Sequence, residues 1–268
     1  MEKRAFLLKN RHFCTEGGKF YNVFPFKPSF FWIIIYLIGT SFQMYGGRPL
    51  NTEDAIMTGK KVFQIEASWD YFHWSPQLNE NIPILVFTYG LSSRLDISAE
   101  IPYIISRNHT GLVHGIGDAL LGCKYLLLTE NATIPYLTLS GILKSETADA
   151  RKGLGVDQYE LTFLGSASKT LSRFIFHGMF AYTLGENHPD VLDFGFAMEY
   201  THHAPLIWVA EVTSTNFVSS LLHENITTVF GGLYFPVNKR ITLDGGIRWG
   251  LSETSPRWNL TTGATIIF

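Results

Sequence analysis

The sequence predicts an all-β fold: a single transmembrane antiparallel up-and-down β-barrel of about 12 strands, following an N-terminal signal segment. Apolar and polar residues alternate almost without interruption from residue 61 to the end, which is the period of a strand with one apolar face. Charged residues make up only 16% of the chain, below the roughly 25% of soluble domains. No run of 18 apolar residues follows residue 42, so helices cannot be what spans a membrane, and low charge with many aromatic residues favours a membrane protein built from strands.

The last strand, 258–268, shows the pattern most clearly. Its apolar face carries Trp258, Leu260 and Phe268, and Asn259 and Thr261 point the other way. Alternation alone also fits an edge strand of a soluble sandwich. However, a final strand that ends in Phe resembles the closing strand of bacterial outer-membrane barrels. That resemblance implies that Trp258 and Phe268 form an assembly signal for the barrel assembly machinery.

The N-terminal 47 residues are predicted to be an export signal. Basic residues precede a short apolar core at 30–40, which is too short to span a bilayer but has the length of a signal-peptide core. Cleavage is expected after Ser41 or Gly47, and a retained membrane anchor is the alternative. Residues 48–60 are interpreted as a polar linker and residues 61–268 as the barrel. Residues 1–47 carry a net charge of +4 and the remainder −6, so the acidic body argues against a nucleic-acid partner.

Twelve alternating runs follow the linker. They cover residues 63–71, 82–89, 95–103, 119–127, 137–143, 159–167, 174–184, 192–200, 206–212, 226–234, 241–251 and 258–268. In the weakest run, 226–234, Phe230 and Tyr234 are assigned to the apolar outer face. An even number of strands is typical of single-chain bacterial barrels.

The links between the runs differ at the two ends of the predicted barrel. Links after even-numbered runs are tight, at 90–93, 129–132, 170–172, 202–205 and 236–239. Links after odd-numbered runs tend to be longer, at 74–81, 106–115, 145–155 and 217–224, although those near Asn187 and Thr254 are short. Short periplasmic turns opposite longer external loops are typical of an outer-membrane barrel with both termini in the periplasm. The predicted location is therefore the bacterial outer membrane, in contact with its lipid.

Several short motifs resemble one family of such barrels, the phenol-degradation MetA-pathway family of transporters. They are Tyr89-Gly90-Leu91 with Arg94-Leu95-Asp96, Pro102-Tyr103, Gly115-Ile116-Gly117-Asp118 with Lys124-Tyr125, Ser168-Lys169, and 258–268. The resemblance covers most of residues 60–268. It implies passage of small aromatic or hydrophobic molecules through the barrel.

Charged residues on the polar faces are predicted to line the lumen. The predicted lining set is Glu66, Asp70, Asp96, Glu100, Asp118, Lys124, Lys144, Glu160, His177, Asp193, Glu199, Glu211, Asp244 and Arg248. Ten acids against three Lys and Arg residues predict an acidic channel that favours cations or neutral small-molecule solutes. The alternative interpretation is that these groups pair with one another to fill a narrow barrel.

Two other classes of function remain open in the sequence. The first is a closed structural or adhesion barrel, which would conduct no solute. A lipid hydrolase would need a Ser nucleophile beside a His base, and His177 with Ser168 or Ser172 is the candidate. We expect no enzyme, metal or cofactor, since His202 and His203 lie in a predicted tight turn and no nucleotide-binding loop is present.

Overall fold

A computed structural model of the chain describes residues 47–75, 78–108, 111–156, 158–185, 189–201, 205–218 and 225–268. The predicted export signal therefore lies outside the described residues, apart from Gly47. Among the described residues, no helix is long and apolar enough to span a membrane.

The described chain consists almost entirely of antiparallel strands. They are β1 (Phe63–Ser75), β2 (Leu78–Ser92), β3 (Leu95–Asn108), β4 (Gly111–Ile116), β5 (Leu120–Leu128), β6 (Tyr136–Lys144), β7 (Glu160–Leu171), β8 (Phe174–Gly185), β9 (Asp190–Thr201), β10 (Ile207–Val218), β11 (Asn225–Pro236), β12 (Ile241–Gly250) and β13 (Trp258–Ile267). One short 3₁₀ helix, Ala150–Lys152, lies between β6 and β7.

The strands close into a barrel because the first pairs with the last. β1 and β13 are in register from Gln64 opposite Ile267 to His73 opposite Trp258. Consecutive strands pair around the rest of the ring, except β4 and β5. β4 and β5 both pair with β3, at its second and first half respectively, so they share one position in the wall. The predicted antiparallel barrel of 12 strands is thereby confirmed.

The two faces of the wall have opposite chemistry. On β10, Glu211 is 4% exposed, whereas the alternating residues Trp208 and Val212 are 56% and 44% exposed. The same alternation places Phe163 and Phe194 on the outside. A closed barrel with an apolar outer face satisfies its backbone hydrogen bonds internally, and its apolar side chains face the lipid. This is the architecture of a membrane-spanning barrel.

The predicted difference between short turns and long loops is partly wrong. Residues 74–81 and 106–115 were expected to be loops, but β1 and β3 continue to Ser75 and Asn108, and the next strands begin at Leu78 and Gly111. The polar side chains in these stretches had hidden the extended strands. The longest described connection, between β6 and β7, does lie at the predicted end. We call this end the loop end, and the opposite end, where β1 begins, the turn end.

The predicted register of β11 is also wrong. Phe230 and Tyr234 are each 2% exposed and point into the barrel, and Val229 on the alternate face is 37% exposed. Inside, the two rings pack with Ile207 and Val209 of β10 and with Leu50. The inversion occurs because this part of the lumen holds an apolar cluster, which a rule of polar inside and apolar outside does not allow for.

Candidate functional site

The residues interpreted as a linker lie inside the barrel. We call residues 47–62 the lumen segment. Three of its backbone N–H groups donate to side-chain oxygens of the wall: Thr52 to Glu211 Oε1 (2.5 Å), Ala55 to Ser168 Oγ (2.8 Å) and Thr58 to Asp96 Oδ2 (2.8 Å). These partners belong to β10, β7 and β3, on different sides of the ring. Because an extended segment cannot satisfy its own backbone donors, the wall satisfies them instead.

Arg48 connects the lumen segment to the junction between the first and last strands. Its guanidinium lies 3.4 Å from Asp70 Oδ1 on β1 and 4.0 Å from Asp244 Oδ1 on β12, and it donates to Thr261 Oγ1 on β13. Asp70 and Thr261 are directly opposite one another across the β1–β13 junction. A guanidinium has enough donors in fixed directions to bind both sides at once.

Arg248, on β12, forms a second buried centre beside the lumen segment. Its guanidinium lies 2.9 Å from Glu211 Oε2, donates to Asn259 Oδ1 (2.9 Å) and to the Pro49 carbonyl (3.4 Å), and rests over the Phe230 ring at 4.8 Å. The other carboxylate oxygen of Glu211 accepts the Thr52 N–H, so one ion pair holds both wall and segment.

Two glycines in the wall leave room for the segment. A Cβ added at Gly195 would lie 2.5 Å from Thr52 Oγ1, and one at Gly90 would lie 1.8 Å from the Gly59 carbonyl oxygen. Both distances are far shorter than van der Waals contact. The surface of the wall therefore fits the segment closely at these points.

The predicted lining residues fall into three groups by their contacts. Those with an oppositely charged partner are Asp70 and Asp244 with Arg48, Glu211 with Arg248, Glu160 with Lys144 (2.5 Å), Glu199 with His177 (3.3 Å), and Lys124 with Glu53 (2.7 Å) and Asp54 (3.6 Å). Those hydrogen-bonded without a basic partner among the described residues are Glu66 to Gln64 (2.6 Å), Asp193 to Thr215 (2.5 Å), Asp96 and Asp118. Glu100 makes no hydrogen bond or ion pair with any described residue. Much of the predicted charge is thus paired, as the alternative interpretation expected.

Ser168, His177 and Glu199 do come together, as a hydrolase would need. Ser168 Oγ lies 2.8 Å from His177 Nδ1, and Glu199 Oε1 lies 3.3 Å from Nε2. All three residues are 4% exposed or less, and the Ser168 hydroxyl accepts the Ala55 N–H. A nucleophile covered in this way has no room for a substrate carbonyl, so the arrangement anchors the lumen segment.

A cavity of about 420 Å³ remains between the lumen segment and one side of the wall. Its walls come from β1, β2, β3, β5 and β6. It is lined by both carboxylates and aliphatic side chains, including Glu66, Glu100, Val86 and Ile142. No cluster of three or more His, Cys, Asp or Glu residues in the described part of the chain is arranged to hold a metal ion.

Asp118 has a different setting from the other predicted lining residues. It lies in the gap between β4 and β5 and accepts the backbone N–H groups of Ala148 (3.0 Å) and Val156 (2.9 Å). Both donors belong to the connection between β6 and β7. The carboxylate thus ties this connection to the interrupted part of the wall.

Replacement of Asp118 by Ala should loosen the β6–β7 connection. Loss of two hydrogen bonds to a charged acceptor is expected to favour local opening by at least roughly tenfold. The connection contains Arg151 and Lys152, so limited trypsin digestion of the folded barrel measures the opening. Glu146→Ala, which removes an exposed carboxylate of the same connection, is the control. Equal cleavage rates for both variants and the parent would contradict this role for Asp118.

The predicted assembly residues lie at opposite ends of the closing strand. The Phe268 N–H donates to the Phe63 carbonyl (2.9 Å) at the start of β1, and the side chain is 63% exposed. Trp258 packs against Tyr71 and His73, with ring centroids 5.2 and 5.3 Å apart. Both residues thus contact the first strand, and their recognition by the assembly machinery stays a prediction.

The sequence analysis missed the contacts of the lumen segment with the wall. The residues that make them are Arg48, Thr52, Glu53, Asp54, Ala55 and Thr58. One signal for them was available: ten inward acids against three bases leave buried charge that needs further partners. Arg48, just before the strands begin, is one such partner.

Comparison with solved structures identifies barrels of the same architecture. The COG4313 outer membrane channel from Pseudomonas putida F1 matches with a TM-score of 0.64 and 14% identity, over 83% of this chain and all of the other. The NanC porin matches with a TM-score of 0.56 and 8% identity, over 76% of this chain and 98% of the other. The KdgM porin matches with a TM-score of 0.52 and 9% identity over the same shares.

At this level of identity the matches show a common fold. No family model matches the chain, and no curated protein matches it in sequence. The outer-membrane barrel part of the family resemblance is confirmed, whereas membership of the MetA-pathway family stays a prediction. By architecture, the chain belongs among the outer-membrane β-barrels whose solved structures include channels and porins.

Proposed function

We propose that the protein is a passive outer-membrane channel for small solutes, with a preference for cations and neutral molecules over anions. The cavity beside the lumen segment carries this proposal, since it leaves space within the wall that the segment does not fill. More carboxylates than basic groups line it, and a charged lining in low-dielectric surroundings selects against like charge. The similar channels and porins support the proposal at the level of the fold.

Planar-bilayer recording of the refolded barrel tests the proposal. We expect discrete conductance steps and, in a KCl gradient, a reversal potential of the sign given by a cation-selective pore. A correctly folded barrel with no conductance and no solute uptake in vesicles would favour a structural or adhesion role. That second candidate has its own support, because the lumen segment takes up much of the bore.

The lumen segment should limit the current. Gly195→Val places a side chain where Thr52 now lies and should displace the segment from that side of the wall, while valine is well accommodated in a strand. We expect a higher single-channel conductance than in the parent. Gly141→Val is the matched control, because a Cβ there meets nothing within 4 Å. Unchanged conductance in a folded Gly195→Val variant would show that the segment does not restrict the pore.

A further inference from the structure

We propose that the cavity beside the lumen segment is a binding site for a small organic cation, an ammonium group carried on a short hydrocarbon or aromatic frame. The inference rests on the proposed channel function, since it names the class of solute that the channel holds. Five strands and the lumen segment enclose the cavity, and its volume of about 420 Å³ is within the range of small-molecule sites.

The charge on the cavity wall is out of balance. Five carboxylates and two basic groups line it. The Lys124 ammonium group forms an ion pair with Glu53 at 2.7 Å, and the Arg48 guanidinium forms one with Asp70 at 3.4 Å. The three other carboxylates have no basic partner among the described residues; they are Glu66, Asp96 and Glu100. Negative charge that is removed from water in this way favours a cation in the cavity.

Two buried polar side chains in the cavity wall fit the same class of ligand. Gln64 and Asp96 line the cavity and are each 3% exposed, and no described residue donates to Gln64 Oε1 or Asp96 Oδ1. Buried acceptors are normally satisfied. Both atoms are covered in this structure, so a side-chain rotation towards the cavity is needed before an occupant with N–H groups can satisfy them.

The spacing of the carboxylates favours an organic cation over a metal ion. Glu66 and Glu100 lie in one row of the wall with Val86 between them, which separates their backbones by two strand spacings, roughly 10 Å. Metal ions need several ligands within bonding distance, and no such cluster is found in the described part of the chain. A larger cation, with its charge on a carbon frame, fits carboxylates that are spread out.

The rest of the wall provides an apolar surface for that frame. Ile84 and Val86 of β2, Leu120 of β5 and Ile142 of β6 line the cavity. Phe72 lines it towards the loop end, and its ring stacks on Trp74 with centroids 6.3 Å apart. Aromatic faces attract organic cations. The carboxylates therefore suit the ammonium group of such a ligand, and the aliphatic and aromatic side chains suit its hydrocarbon part.

Calorimetric titration of the folded full-length barrel in detergent tests the inference. The probes are benzylamine, its neutral analogue benzyl alcohol and its anionic analogue benzoate. We expect benzylamine to bind at least tenfold more tightly than the other two. Glu100→Gln should weaken benzylamine binding several-fold, whereas Glu146→Gln, the same change at an exposed position outside the cavity, should leave it unchanged.

Each outcome separates the site from the channel. Equal binding of benzylamine and benzyl alcohol, or full affinity in a folded Glu100→Gln barrel, would overturn the cation site, and the conductance measurement would still stand on its own. If Glu100→Gln does not fold, Glu66→Gln provides the same test at the other end of the row. Specific benzylamine binding by a barrel without conductance would support the site while overturning the channel.

Discussion

Replacing Arg248 by Met should lower the free energy of unfolding by about 3 to 5 kcal/mol, because the change leaves a buried carboxylate without its partner. Arg248 is 5% exposed and Glu211 is 4% exposed, so water cannot replace the lost guanidinium. The loss should appear as a shift of the urea unfolding curve of the refolded barrel, followed by tryptophan fluorescence. Arg257→Met, at an exposed position, should change stability by less than about 0.5 kcal/mol.

The double variant Arg248→Met with Glu211→Gln separates the ion pair from the packing of the side chain. The carboxamide of Gln still accepts the Thr52 N–H and carries no charge, so the double variant should regain much of the stability lost in Arg248→Met. A parent-like unfolding curve for Arg248→Met would show that the Glu211–Arg248 pair is not important for stability.

Arg at Phe194 should lower the free energy of unfolding by about 2 to 4 kcal/mol if this position lies near the middle of the bilayer. Phe194 is 47% exposed on the outer face, where its ring meets Phe180 edge to face at 5.4 Å. The adjacent residue on the strand, Asp193, points the other way and bonds to Thr215. Asp193→Arg is therefore the matched comparison, and the fold should tolerate it better than Phe194→Arg.

Unfolding in lipid vesicles measures both variants under the same conditions. The two changes introduce the same side chain at adjacent positions. The difference between their unfolding free energies therefore depends on whether the position faces lipid or the lumen. If Asp193→Arg is the more damaging of the two, the assigned inner and outer faces of β9 are wrong.

Sequence alternation predicted most of the wall because lipid imposes it. A residue such as Trp208 or Leu260 must be apolar where it meets hydrocarbon, and its neighbour is free to be polar, so period two shows directly. The rule failed at Phe230 and Tyr234, where both faces carry aromatic or aliphatic residues. Their direction is decided by contact with Leu50, which lies far away in sequence.

The lumen segment was missed for a related reason. Residues 48–60 form no strand, and their partners are distant: Thr52 bonds to Glu211, and Thr58 bonds to Asp96. A backbone N–H leaves no mark in the sequence, so nothing local distinguishes this segment from a solvated linker. The path of the segment decides which lumenal acids are paired and which, like Glu100, have no hydrogen-bond or ion-pair partner among the described residues. The sequence pattern does not show that path.

The position of Arg48 has a consequence for the order of folding. Its partners Asp70 and Thr261 are 22 and 213 residues away in sequence, and they face each other where the two ends of the sheet meet. The contact between Arg48 and Thr261 joins residues that are almost a whole chain apart, so forming it early would cost much conformational entropy. Pairing of the intervening strands brings the two residues close together and lowers that cost. Closure of the sheet and seating of the segment should then occur together and late, and a chain that has paired only its consecutive hairpins would have neither.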